Sequence, residues 1–174
     1  MTIRNVHERL LPATPARIGW LLDQLASPAD PLWPHDRWPP MRFDRSLQVG
    51  ASGGHGPIRY VVDRYQPGST IVFRFTGPQG LHGEHRFEVL PQVGGCRLRH
   101  VLEGHMTGRM RLLWPLLYRP LHDALIEDSL DRAENALSGR SHQPPRQWSL
   151  RVRMLRRSIA VGLRRRVKRR SNHP

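Results

Sequence analysis

The chain has 174 residues, with 28 Lys+Arg against 14 Asp+Glu and a single cysteine. That length suits one domain with a real core plus an appendage. Cys96 alone excludes an internal disulfide and fits a reducing compartment, and no apolar run approaches the roughly 20 residues that span a bilayer. The N-terminal stretch MTIRNVHERLL lacks the apolar segment of a signal peptide, so a cytoplasmic location is expected.

The charge is unevenly placed. Residues 140–174 hold 12 basic residues and no acid, which leaves 16 basic and 14 acidic groups in residues 1–139, a net of +2. The basicity belongs to a tail rather than to the body. A domain over 1–139 and a basic amphipathic tail over 140–174 are expected.

Ile3 to Leu11 reads as a first strand. Thr14-Pro15 is an N-cap followed by proline at the first helical position, and Ile18, Leu21, Leu22 and Leu25 then recur on one helical face. Ser27 to Arg45 carries five prolines and two tryptophans, too broken for long regular structure and too apolar for a disordered linker. It is expected to be a packed loop or lid, with Trp33, Trp38 and Met41 either lining a cavity mouth or simply filling core.

From Ser46 the pattern changes to short strands separated by turns. Ser46 to Val49 is a candidate strand, and the glycine-rich GASGGHGP after it reads as a turn or pocket rim. It lacks the lysine-serine ending of a phosphate loop. Ile58–Tyr65, Thr70–Thr76, Leu81–Leu90 and Cys96–His105 follow, the last two as a hairpin with Gln92 opposite Gly95. Trp114 to Gly139 then supplies a long amphipathic helix, unbroken from Leu121. His122, Leu125, Ile126, Ser129, Leu130, Ala133, Ala136 and Leu137 fall on one face, and Asp123, Glu127, Asp128 and Asp131 on the other.

These elements in this order resemble the helix-grip fold of the START / Bet v 1-like superfamily, also labelled SRPBCC or polyketide cyclase/dehydrase-like. The resemblance rests on VHERLLPATPARIGWLLDQL, VVDRYQPGSTIVFRF, HRFEVL and the final helix, and covers about residues 1–139. GGHGPIRY and WPLLYRPLHDALIED look like features of one bacterial subgroup of unknown activity. The resemblance implies an α+β fold, a curved antiparallel sheet wrapped around a long C-terminal helix with a ligand cavity between them. Members bind lipids, sterols, polyketides or other apolar molecules, and some catalyse cyclisation or dehydration. The superfamily has no universal catalytic motif to place on this chain, and no cofactor is implied.

Strand alternation puts His85 on the inward face with Phe87, and His100 inward with Leu98 and Leu102. In the hairpin register the two histidines are diagonal neighbours. His122 enters from the helix. Tyr60, Phe73, Phe75, Phe87 and Tyr118 complete the expected ligand-binding set. Buried histidines and tyrosines ordinarily satisfy one another or a carbonyl; orienting a ligand and moving a proton are the other uses. No compact metal-ligand spacing is present, so no metal is expected. No GxSxG nucleophile context occurs.

In the tail, Trp148, Val152, Leu155, Ile159 and Leu163 recur at helical spacing, with Arg151, Arg153, Arg156, Arg157, Arg164, Arg165 and Arg166 over much of the remaining surface. Such a helix suits an anionic membrane surface; it equally suits electrostatic contact with nucleic acid or packing on a partner, while a solvated tail is the plain alternative. The expected function is binding or transport of a small apolar or amphipathic ligand. A cyclase/dehydrase-type enzyme using a cavity histidine or tyrosine is the second reading, and an interaction protein acting through the tail the third. The oligomeric state stays open.

Overall fold

A computed structural model of the chain describes residues 1–138 and 146–159. Seven strands form one antiparallel sheet: β1 (Thr2–Leu11), β2 (Arg42–Phe43), β3 (Ser52–His55), β4 (Ile58–Gln66), β5 (Thr70–Gly77), β6 (Leu81–Gln92) and β7 (Gly95–Met106). Their spatial order is β1-β7-β6-β5-β4-β3-β2. Consecutive strands from β2 to β7 are neighbours, and only β1 closes back onto β7, as short connections favour. Register breaks near Tyr60 and Asp63 interrupt the β4–β5 ladder; such bulges bend a strand and increase its twist. Helix α1 (Pro15–Asp23) is capped by Thr14, whose hydroxyl accepts from the Arg17 N–H. Its last residue, Asp23, holds the β4–β5 turn by accepting from Gly68 N–H at 2.9 Å and from Tyr65 OH at 2.8 Å.

Two expectations need correction. Ser46–Val49 is not a strand; the strands here are β2 and the glycine-rich β3. The reason is steric. A Cβ at Gly53 would strike the Arg42 carbonyl and one at Gly54 the Ile58 carbonyl, so these glycines let neighbouring backbones approach within a ladder. The long helix also starts earlier than Leu121. It begins at α2 (Met110–Leu113) and passes through a π-helical turn, Trp114–Tyr118, into α3 (Arg119–Ser138). Pro120 removes an N–H that would otherwise bond back to the preceding turn. Arg151 compensates, donating from Nη2 to the carbonyls of Pro115 (2.9 Å) and Leu116 (3.1 Å).

Leu125, Ile126, Ser129, Leu130 and Ala133 of α3 are buried against the sheet, whereas Ala136 near the helix end is exposed. The opposite face is not free. Asp123, Glu127, Asp131 and Glu134 meet Asn5, His7 and Arg9 of β1. Asp128 is 4% exposed. Its Oδ1 accepts from Arg37 at 2.8 Å, and its Oδ2 from the indoles of Trp38 (2.7 Å) and Trp148 (2.9 Å).

Candidate functional site

The β6–β7 hairpin has the expected register, with Gln92 opposite Gly95, Phe87 opposite His100 and His85 opposite Leu102. His85 Nδ1 and His100 Nε2 lie 3.2 Å apart, in hydrogen-bond contact. Above them, between the sheet and the helical stretch 114–126, is a cavity of about 420 Å³. Its wall is apolar apart from a few imidazoles, one tyrosine and one arginine.

Five of the eight expected residues border this cavity: Phe75, His85, His100, Tyr118 and His122. Tyr60, Phe73 and Phe87 are fully buried and form the layer that supports the rings. Phe73 stacks on His85 at 4.8 Å and Phe87 meets His100 edge-on at 4.7 Å. Trp33 and Trp38 of the lid line the mouth, while Met41 is core. The lid is shaped by Asp30, whose carboxylate accepts from the backbone N–H groups of Ala26, Leu32 and Trp33, each at 2.8 Å.

Sequence reasoning missed His55. It ends β3, borders the cavity, and its Nδ1 lies 3.1 Å from the Tyr60 hydroxyl. The two-residue turn Gly56-Pro57, which sets His55 opposite Ile58, was the available signal. His7 was missed as well. Its ring contacts Glu127 (2.8 Å) and Asp123 (3.2 Å), and its centroid is 6.0 Å from that of His122.

The imidazoles differ in charge preference. Burial pushes His55 down to about 3, with His122 and Arg59 adding to the effect. Burial, reinforced by neighbouring histidines, holds His85 and His100 well below the ordinary value, and burial also lowers His122. For His7 burial works in the same direction, but its bonds to Asp123 and Glu127 outweigh it and raise the pKa. Protonation is therefore disfavoured at the cavity imidazoles and favoured at His7 relative to a free imidazole.

A neutral imidazole offers one donor and one acceptor. Once His85 and His100 bond each other, His85 Nε2 and His100 Nδ1 are left, one as donor and one as acceptor whichever tautomer is adopted. Neither atom has a hydrogen-bond partner among the described residues, nor does either nitrogen of His122, whose Nδ1 lies 3.7 Å from Asp123 Oδ1. His7, His122 and Asp123 present potential metal-ligand atoms within 4.8 Å of one another. The paired carboxylates at His7 already account for that ring's placement.

The tail differs from its expected form. Residues 150–159 are helical (α4), and Trp148 and Val152 of the apolar stripe face the body, while Ile159 is 42% exposed. Val152 is buried, Trp148 packs edge-on against Trp38 at 5.5 Å, and Ile159 borders the cavity. The indole bond to Asp128 supplies the physical reason, since the stripe finds an apolar and hydrogen-bonding partner within the chain. Arg151 and Arg156 are engaged with the body, and Arg153 and Arg157 are exposed. Leu163, Arg164, Arg165 and Arg166 lie outside the described residues. No helix among the described residues is long and apolar enough to cross a membrane.

No protein-family model matches the chain, and no curated protein matches it. Solved structures do. Norcoclaurine synthase from Thalictrum flavum, in complex with dopamine and hydroxybenzaldehyde, superposes with TM-score 0.59 at 16% identity, over 81% of this chain and 90% of that one. CalU16 from Micromonospora echinospora gives 0.54 at 12% identity, over 90% and 82%. The di-domain ARO/CYC StfQ of the steffimycin biosynthetic pathway gives 0.57 at 14% identity, over 80% of this chain and 51% of StfQ. With its seven-stranded antiparallel sheet gripping one long C-terminal helix, the chain has a helix-grip fold, shared with these structures.

Proposed function

We propose that the chain binds a small apolar or amphipathic molecule between the sheet and the helical stretch 114–126, with the His85–His100 pair orienting it. The observation that carries this reading is the apolar cavity of about 420 Å³ whose wall includes imidazoles with unpartnered nitrogens. Cavities of roughly 300–1,000 Å³ with a few placed polar groups are typical of ligand sites. Isothermal titration with decanol and with a naphthol tests it. Saturable 1:1 binding is expected, weakened at least tenfold by Leu121→Trp, which places an indole in the wall. Non-saturable heats, or affinity indifferent to Leu121→Trp, would overturn it.

A second reading is acid–base catalysis of the cyclase/dehydrase type. It is favoured by the same histidine pair, which could accept a proton at one nitrogen and release one at the other, and by the fold shared with the ARO/CYC StfQ. Against it stands the direction of the pKa shifts. A general base works best with a pKa near the operating pH, and burial drives His85 and His100 far below it. Binding therefore ranks first.

For the tail, we propose contact with an anionic membrane surface through a face other than the stripe. Leu112 (69% exposed), Leu116 (60%), Leu150 (71%) and Met154 (67%) supply apolar side chains on two helical segments that Arg151 joins. Neither 104–122 nor 135–174 contains an acidic residue. Exposed apolar groups among arginines suit an anionic bilayer.

A further inference from the structure

Among the described residues, the one formally charged side chain bordering the cavity is Arg156. It reaches the mouth from α4, with its guanidinium over the rings of Trp38 (4.3 Å) and Trp148 (4.1 Å). Arg37 lies over the same Trp148 ring at 4.1 Å. The two cations are not equivalent. Arg37 is paired with Asp128 at 2.8 Å, whereas Arg156 forms no ion pair among the described residues and donates from Nη2 to the Arg37 carbonyl. Stacking fixes the plane of the guanidinium and removes water from its faces, which leaves its edge N–H groups to meet a ligand. Among the described residues no acid borders the cavity to compete for them. Arginine stays charged at any physiological pH, so its need for an anion does not switch off.

We propose that the ligand of this cavity is an amphipathic anion. Its apolar body lies among Phe75, Leu121 and Ile126, and its single oxyanion, a carboxylate or a phosphate monoester, is held at the mouth by Arg156. The proposal rests on the ligand-binding reading above and narrows it to a chemical class. The planar fork of arginine matches both oxyanions, and charge-assisted bonds of this kind are about twice as strong as neutral ones.

Isothermal titration of the full chain with decanoate, decyl phosphate and decanol, matched in chain length, tests it. At least one anion is expected to bind tenfold or more tighter than decanol, and the tighter of the two names the head group. Arg156→Gln is expected to remove that gap; Arg156→Lys, which keeps the charge and loses the fork, is expected to retain part of it. Equal affinity of the wild type for all three probes overturns the proposal and spares the cavity. A gap that survives Arg156→Gln overturns the assignment to Arg156. If none of the probes binds, the ligand-binding reading itself falls. The wild-type series needs no variant to fold, so it decides the matter even where Arg156→Gln loosens α4.

Discussion

The two flanks of α3 are held by opposite means. Towards β1, His7 and Arg9 face Asp123, Glu127, Asp131 and Glu134, in overlapping pairs whose side chains are 13–44% exposed. Towards the lid, one carboxylate, Asp128, takes donors from Arg37, Trp38 and Trp148 at once. These half-buried pairs overlap, so that Glu127 and Asp131 keep another cation when Arg9 is lost. A buried carboxylate with three donors has no substitute, because losing it strands every partner. The sheet side is built to tolerate change, and the cavity mouth depends on one residue that joins lid, α3 and tail.

Asp128→Ala is the sharpest way to break that asymmetry. A loss of about 3–5 kcal/mol is expected in urea denaturation, as for other broken buried pairs, with faster tryptic cleavage at the tail arginines. A loss below 1 kcal/mol with unchanged cleavage would contradict the anchoring role. Ile126→Ala, from the buried face between the two flanks, is expected to remove about 2–5 kcal/mol; under 0.5 kcal/mol would argue that this face is not core.

The imidazoles sharpen the contrast through pH. His55, His85, His100 and His122 are harder to protonate folded than unfolded. Their contribution to stability is complete above the ordinary value of 6.5 and is lost as pH falls below it, for His55 down to about 3. His7 has the opposite sign, with a contribution complete below 6.5 and lost as pH rises through its raised pKa. Since four groups oppose one, denaturation at pH 7.5, 6.5 and 5.5 should show falling stability. A flat profile would contradict the burial of these rings.

On the tolerant flank, Arg9→Ala should cost about 1 kcal/mol or less despite removing contacts to three carboxylates. A loss above 2 kcal/mol would erase the distinction between the flanks. Liposome flotation reads the smallest effect, that of the surface face on the mouth side. Phosphatidylglycerol vesicles should bind the full chain and neutral phosphatidylcholine should not, with Leu116→Glu/Met154→Glu reducing the bound fraction. Stronger binding to duplex DNA than to lipid would move the tail to nucleic acid.

Much of the sheet was legible because a two-residue period reports directly which side chains share a face. The Gln92–Gly95 turn alone set His85 near His100. The same period, applied to β1, places His7 and Arg9 with Ile3 and Leu11 on the inward face, a signal present in the sequence and overlooked. Asp128 was not legible, since a helical wheel assumes one covered face and α3 is covered on more than one side. Trp148 carries the same ambiguity. An apolar stripe records that something covers it, and cannot distinguish a membrane from the body of its own chain. In β3 the glycines hid a strand, because the close backbone approach they allow leaves no side-chain alternation to read.

Native mass spectrometry of the full chain purified from its own host tests most directly whether the cavity is a ligand site. A fraction of molecules should be heavier than the bare chain by one small molecule, released on denaturation, and absent or much reduced in Leu121→Trp. A wild-type spectrum showing the bare chain alone, together with no saturable uptake of any decyl probe, would contradict it.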